Sequence, residues 1–174
     1  MKTGSDNVSF RQPTKQDGAA IAQIVRDTGV LDSNSVYAYL LIGEHFGDTS
    51  VVAELDGRIA GFISAYCPPA QPDTIFVWQV GVTAAGRGRR IATRMLFEIV
   101  RRTASAHVRY LDTTISPDNV PSMALFRGFA RKLDTEVTES ELFAAELFGD
   151  EGDHEPEILF RIGPFNPSSI TDLP

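Results

Sequence analysis

One stretch, residues 77–96 (VWQVGVTAAGRGRRIATRML), constrains the fold more than any other. Residues 75–82 are apolar and β-branched with one polar interruption, as in a strand buried on both faces. The run Gly86-Arg87-Gly88-Arg89-Arg90 then breaks the pattern. From Ile91 the apolar residues return at helical spacing: Ile91, Met95, Leu96, Ile99 and Val100. A strand that enters a helix through a glycine-rich turn aims several free N–H groups at one point, with the positive end of the helix dipole behind them. Three arginines add charge there, so the turn reads as a cradle for a polyphosphate. The plain alternative is a solvated connection. The GxxxxGK[ST] and GxGxxG patterns are absent, which argues against nucleoside triphosphate and dinucleotide loops.

The basic turn is a local exception. The whole chain carries a net charge of −7, which argues against non-specific binding to nucleic acid. With 174 residues and 43% hydrophobic content, one domain with its own core is expected, over residues 8–163. Residues 1–7 and 164–174 have no periodic pattern and are expected as flexible ends. Cys67 is the single cysteine, so no intrachain disulfide can form, which suits a reducing cytoplasm. No apolar run of 18 residues occurs.

The remaining elements follow in order. Residues 8–11 form a short strand, and Thr14 to Asp17 has the spacing of a capping box. Ile21, Ile24 and Val25 share a helical face that Gly29 ends. Asp32, Ser33, Asn34 and Ser35 can each cap a second helix bearing Val36, Tyr37, Leu40 and Leu41. Two acceptors and two tyrosines crowded at a helix start can equally line a pocket for an amine. Residues 51–55 and 59–66 are strands joined by Asp56-Gly57, a hairpin signal. A helix over 91–104 and a strand over 108–115 come next. Asn119 and Pro121 open another helix that Gly128 is expected to end. Residues 131–137 read as a strand, 138–148 as helical and 149–156 as an acidic loop. Residues 157–162 are the last strand. The order is β-α-α-β-β-β-α-β-α-β-β, an α/β fold on a mixed sheet.

The strand with Val80, Gly81 and Val82, followed by RGRRIA, resembles the acetyl-CoA signature of the GCN5-related N-acetyltransferases. That family's turn has the form Q/R-x-x-G-x-G/A. Arg87 opens it here and Ala92 closes it, while Arg90 stands where an inner glycine is usual. The segment from Asn119 to Phe129 resembles the family's second signature, with Phe126 where a tyrosine often protonates the departing sulfur. Phenylalanine cannot donate a proton. The resemblance implies the acetyltransferase fold and acetyl-CoA as co-substrate. The cofactor would be held by Val80, Gly81, Val82, Arg87, Gly88, Arg89, Arg90, Ile91, Ala92, Asn119 and Phe126. No metal is implied.

Four longer blocks carry a closer resemblance, to the diaminobutyrate acetyltransferases of the ectoine pathway. They are LDSNSVYAYLL, VWQVGV with RGRRIATRML, TTISPDN with ALFRGFARKL, and HEPEILFRIGPF. This resemblance implies acetylation of the 4-amino group of L-2,4-diaminobutyrate in the cytoplasm by a homodimer. It also implies that Asp32, Tyr37, Trp78, His154 and Glu157 line the diaminobutyrate site.

The chemistry of such a transfer sets further requirements. An amine attacks a thioester directly, and it must be neutral to do so, although a primary amine near pH 7 is mostly protonated. A base, a water path or desolvation is needed. The central strand offers Trp78 and Gln79 but no carboxylate, so the base is sought among Asp32, His154 and Glu157. A backbone N–H around residues 79–81 is expected to receive the oxyanion, given a bulge there. Two other functions fit the same residues. One is acetylation of another small amine or a protein N-terminus, and the other is a non-catalytic acyl-CoA-binding module.

Overall fold

A computed structural model describes residues 7–102, 107–149 and 154–166. Among them, seven strands form one sheet in the order β1-β2-β3-β4-β5-β7-β6. The strands are β1 (Val8–Arg11), β2 (Val51–Leu55), β3 (Arg58–Tyr66), β4 (Thr74–Val82), β5 (Tyr110–Ile115), β6 (Val137–Phe143) and β7 (Glu157–Ile162). All neighbours are antiparallel except β4 and β5. The helices are α1 (Gly18–Thr28), α2 (Val36–His45), α3 (Ile91–Arg101) and α4 (Val120–Lys132). The parallel pair requires a crossover, and α3 supplies it.

The two faces of the sheet carry separate cores. Ile63, Ile75, Val77, Leu111 and Phe160 pack against α3 and α4. Val52 and Phe62 pack against α1 and Tyr39 of α2. The sides alternate because successive strand residues point to opposite faces. The α1 start is locked to β1. Arg11 donates from Nη1 to Asp17 Oδ2 at 2.7 Å and from Nη2 to Oδ1 at 2.9 Å. The Thr14 N–H donates to the same Oδ2 at 2.7 Å. Arg11 Nε reaches Glu54 Oε1 of β2 at 2.9 Å. In the β2–β3 turn, Asp56 and Gly57 both have positive φ, at 51° and 76°. That is the pair of left-handed residues a two-residue hairpin favours.

Several sequence expectations are corrected. Gly128 does not end α4, which runs on to Lys132. A glycine inside a helix costs only about 1 kcal/mol, and packing by Phe126, Phe129 and Ala130 outweighs that. The expected strand at 131–137 and helix at 138–148 are replaced by β6 (Val137–Phe143) and a short 3-10 turn, Ala145–Phe148. β5 starts at Tyr110, not at 108, and α3 ends at Arg101. The chain past 163 is not a loose end at its start. Phe165 is 6% exposed in the larger core, and its N–H donates to Arg109 O at 2.8 Å. The expectations for residues 1–6, 103–106, 150–153 and 167–174 lie outside the described residues.

Candidate active site

The site begins where β4 and β5 part. Their last paired residues are Val77 and Thr113, although β4 continues to Val82 and β5 to Ile115. Just there β4 carries a bulge. Ser64 of β3 faces Gln79 and Ala65 faces Val77, so Trp78 is the extra residue. The bulge therefore falls one residue before the expected 79–81 segment, and it turns the 40%-exposed Trp78 side chain into a cleft.

Two cavities flank that residue. The first, about 450 Å³, reaches inward over β5 and β7 to Asp112, Gln71, Tyr66 and Phe76. The second, about 280 Å³, runs along the parted strands past Gln79, Ile115 and Asn119. Asp32, Trp78, Thr114, His154 and Glu157 line both, so they stand at the junction.

Each junction residue is held by local structure. Asp32 lies in the loop between α1 and α2, whose backbone is tied to the sheet. Gln79 Nε2 donates to Asp32 O at 3.0 Å, and Asn34 Nδ2 donates to the same oxygen at 3.2 Å. The Tyr39 hydroxyl donates to Gln79 Oε1 at 3.0 Å. Glu157 opens β7. The His154 ring stacks on Phe148, with centroids 3.7 Å apart and planes 12° apart. His154 Nδ1 lies 2.6 Å from Glu155 O. A carbonyl oxygen only accepts, so Nδ1 carries the hydrogen and Nε2 of the neutral ring keeps its lone pair. Among the described residues, neither the Asp32 nor the Glu157 carboxylate has a hydrogen-bond or ion-pair partner.

Asp112 was missed by sequence reasoning. It is 5% exposed and lines the inner cavity. Its Oδ2 accepts from Arg161 Nη1 at 2.9 Å, while Oδ1 has no partner. Burial pushes this carboxyl up, against the pull of Arg161. Arg161 is itself fixed, 4.0 Å over the Tyr110 ring and within 3.3 Å of Thr74 Oγ1. The available signal was a charged residue within the otherwise uncharged strand YLDTTI.

At the arginine turn, Arg87, Gly88, Arg89 and Arg90 are exposed. Arg90 caps α3 with φ at 57°, a left-handed conformation that an ordinary residue adopts at some cost. The first N–H groups of α3, at Ile91 and Ala92, have no partner within the helix. A cavity of about 290 Å³ lies between the end of α1 and the turn, lined by Asp27, Thr28, Val82 and Arg87. The exposed charges and free amides suit a polyphosphate.

The other expected residues are placed as follows. Tyr37 is 65% exposed and lines a separate shallow groove with Lys15, Leu40 and Glu44. Tyr39, two positions on, turns inward instead. Phe126 is 2% exposed in the larger core. Gly81 is explained by packing, since a Cβ there would fall 2.5 Å from the Phe62 ring. Val80 packs at the margin of the larger core. Ile91 buries its side chain, leaving only its amide for a ligand. Asn119 lines the second cavity, and its Oδ1 accepts from Ser122 N at 3.2 Å as the α4 cap.

A mixed sheet that opens between its parallel strands beside a basic helix-start turn is the architecture of coenzyme A-dependent acyltransferases. The chain belongs to the acetyltransferase (GNAT) family, which it matches over residues 19–129. It is 49% identical to the L-2,4-diaminobutyric acid acetyltransferase of Bordetella parapertussis over 157 residues, 90% of this chain and 84% of that one. Identity to the enzyme of the same name from Marinococcus halophilus is 45%, covering 92% of each chain. The diaminobutyrate acetyltransferase of Paenibacillus lautus, solved with L-2,4-diaminobutyric acid and coenzyme A, is 43% identical. It superposes with a TM-score of 0.89 over 92% of this chain and 97% of that one.

Proposed function

We propose that this protein transfers the acetyl group of acetyl-CoA to the 4-amino group of L-2,4-diaminobutyrate, giving N4-acetyl-L-2,4-diaminobutyrate. One observation carries the proposal. Asp32, Trp78, His154 and Glu157 stand between a channel at the parted strands and an acidic inner cleft. Similarity to diaminobutyrate acetyltransferases over nine-tenths of the chain supports the substrate. Arg87, Arg89, Arg90 and the first amides of α3 would hold the coenzyme A phosphates.

The junction supplies what the reaction needs. Glu157, Asp32 and the Nε2 lone pair of His154 attract the 4-ammonium and can take its proton. The neutral nitrogen then attacks the thioester carbonyl carbon. The carbonyl oxygen becomes an oxyanion, and the unpaired edge of β4 beyond Val77 offers N–H groups to it. The C–S bond breaks and the thiolate leaves, while the nitrogen, still cationic after attack, gives its second proton to water and becomes the neutral amide. Phe126 can give that thiolate no proton, so the thiolate takes its proton from another group or from water. We assign Glu157, with His154, to proton removal and Trp78 to the apolar wall that fixes the short chain.

For assembly and location we propose a homodimer in the cytoplasm. The exposed apolar residues Val36, Tyr37 and Leu40 on α2 support a covered face. No helix among the described residues is long and apolar enough to cross a membrane. Light scattering on the purified protein tests the assembly.

The experiment for the activity is to incubate the protein with acetyl-CoA and diaminobutyrate, follow free thiol, and read the acetylated position by NMR. Thiol release with N4-acetyl product is expected. Acetylation of a peptide N-terminus but not of diaminobutyrate, or coenzyme binding without thiol release, would overturn the proposal.

A further inference from the structure

We infer that Asp112 holds the 2-ammonium of the substrate through its unpartnered Oδ1, at the far end of the inner cleft from the thioester. The inference rests on the diaminobutyrate function proposed above and deepens it.

Asp32, His154 and Glu157 line both cavities and so stand beside the reacting amine. A diamino acid that presents its 4-amine there must extend its other end into one of the two cavities. The second cavity follows the parted strands and is wanted by the acyl-CoA. The amino-acid end therefore enters the inner cleft. Among the described residues that line only that cleft, Asp112 alone has a carboxyl or basic side chain. A carboxylate there fits an ammonium and no other part of this substrate.

The state of the carboxylate gives a second reason. An acceptor oxygen buried without a partner is costly, and charged acceptors more so. Asp112 is 5% exposed with Oδ1 unpaired, while Arg161 occupies Oδ2. The guanidinium's other contacts go to Thr74 Oγ1 at 3.3 Å and Gln71 Oε1 at 3.4 Å. An arriving ammonium satisfies Oδ1 and completes the set. Arg161 also holds the oxygen in place, since its own position is fixed over Tyr110. Asp112 thus selects for substrates with an α-ammonium.

The test compares diaminobutyrate with 4-aminobutyrate, which has the reacting amine and the carboxylate but lacks the 2-amine. Wild-type protein should show a KM for 4-aminobutyrate at least about tenfold above that for diaminobutyrate. Asp112→Asn should raise the diaminobutyrate KM about tenfold or more, leave the 4-aminobutyrate and acetyl-CoA KM within about twofold, and so erase the preference. Asp112→Asn/Arg161→Gln removes both charges and leaves no unpaired guanidinium. It should lose the same preference, and it serves if the single variant does not fold. Equal KM values in the wild type, or a variant that keeps the preference or loses both substrates equally, would overturn the assignment. Wild-type protein that releases thiol with neither compound would overturn the acetyltransferase proposal along with it.

Discussion

Two carboxylate–arginine pairs in this molecule use the same chemistry to opposite ends. Asp17 and Arg11 close on each other, and the Thr14 N–H completes the set. Arg11 holds the Asp17 carboxyl below its usual range. Asp112 and Arg161 share a single bond, and the second oxygen is left bare. Burial there wins over the arginine and pushes the carboxyl up. Both carboxylates are nearly buried, so burial does not separate them. What separates them is whether the fold itself supplies every partner. A closed pair is spent on joining β1 to α1, whereas a pair on the wall of a cleft with one buried oxygen unpartnered keeps capacity for a ligand.

The largest effect tests the open class at its extreme. Among the described residues the Glu157 carboxylate has no partner, and Glu157→Gln should lower kcat about 100-fold or more while leaving the melting temperature near that of the wild type. A variant with unchanged kcat would remove Glu157 from the chemistry. Arg87→Ala comes next, with an acetyl-CoA KM about tenfold higher and an unchanged diaminobutyrate KM. Equal changes in both would show that the turn does not serve the coenzyme alone.

Asp17→Asn should cost about 1–3 kcal/mol of stability at pH 7 with kcat/KM intact. The sign with pH distinguishes the two pairs. The lowered Asp17 carboxyl stabilises the fold above about pH 3.9 and loses that contribution as pH falls through its folded value. The raised Asp112 carboxyl stabilises below about pH 3.9 and loses that contribution as pH rises through its own folded value. The melting-temperature gap between wild type and Asp17→Asn should therefore widen from pH 3 to pH 7. The gap to Asp112→Asn should move the other way. Parallel trends would erase the comparison. The smallest expected effect is Tyr39→Phe, which frees Gln79 to leave the Asp32 loop. A diaminobutyrate KM raised about threefold, with stability down by about 1 kcal/mol, is expected.

The sequence exposes some of this and hides the rest for physical reasons. The strand and arginine turn at 77–96 are legible because burial and charge change abruptly there. The junction residues Asp32, Trp78, His154 and Glu157 come from the resemblance, and folding brings them to one place. β6 is hidden because it is an edge strand exposed along almost its whole length, so it has no alternating apolar face. The segment 141–148, ELFAAELF, which overlaps its end, has helical spacing without an α-helix to match. Tyr37 and Tyr39 differ only in which side of α2 meets the sheet, and Tyr39 with Ile42 makes the inward stripe. Asp112 shows in the chain only as one charge inside the strand YLDTTI, because its unsatisfied oxygen is a property of the assembled neighbourhood.

The order of the sheet has a consequence for how the protein is made. β7 lies between β5 and β6, although it follows both in the chain. During synthesis, β6 has no strand to pair with and β5 has an open edge until residues 157–162 leave the ribosome. An unpaired edge is where misassociation starts. The strand that brings Glu157 to the cleft is thus also the wedge that completes the sheet. A nascent chain stalled before it would be sticky and inactive together.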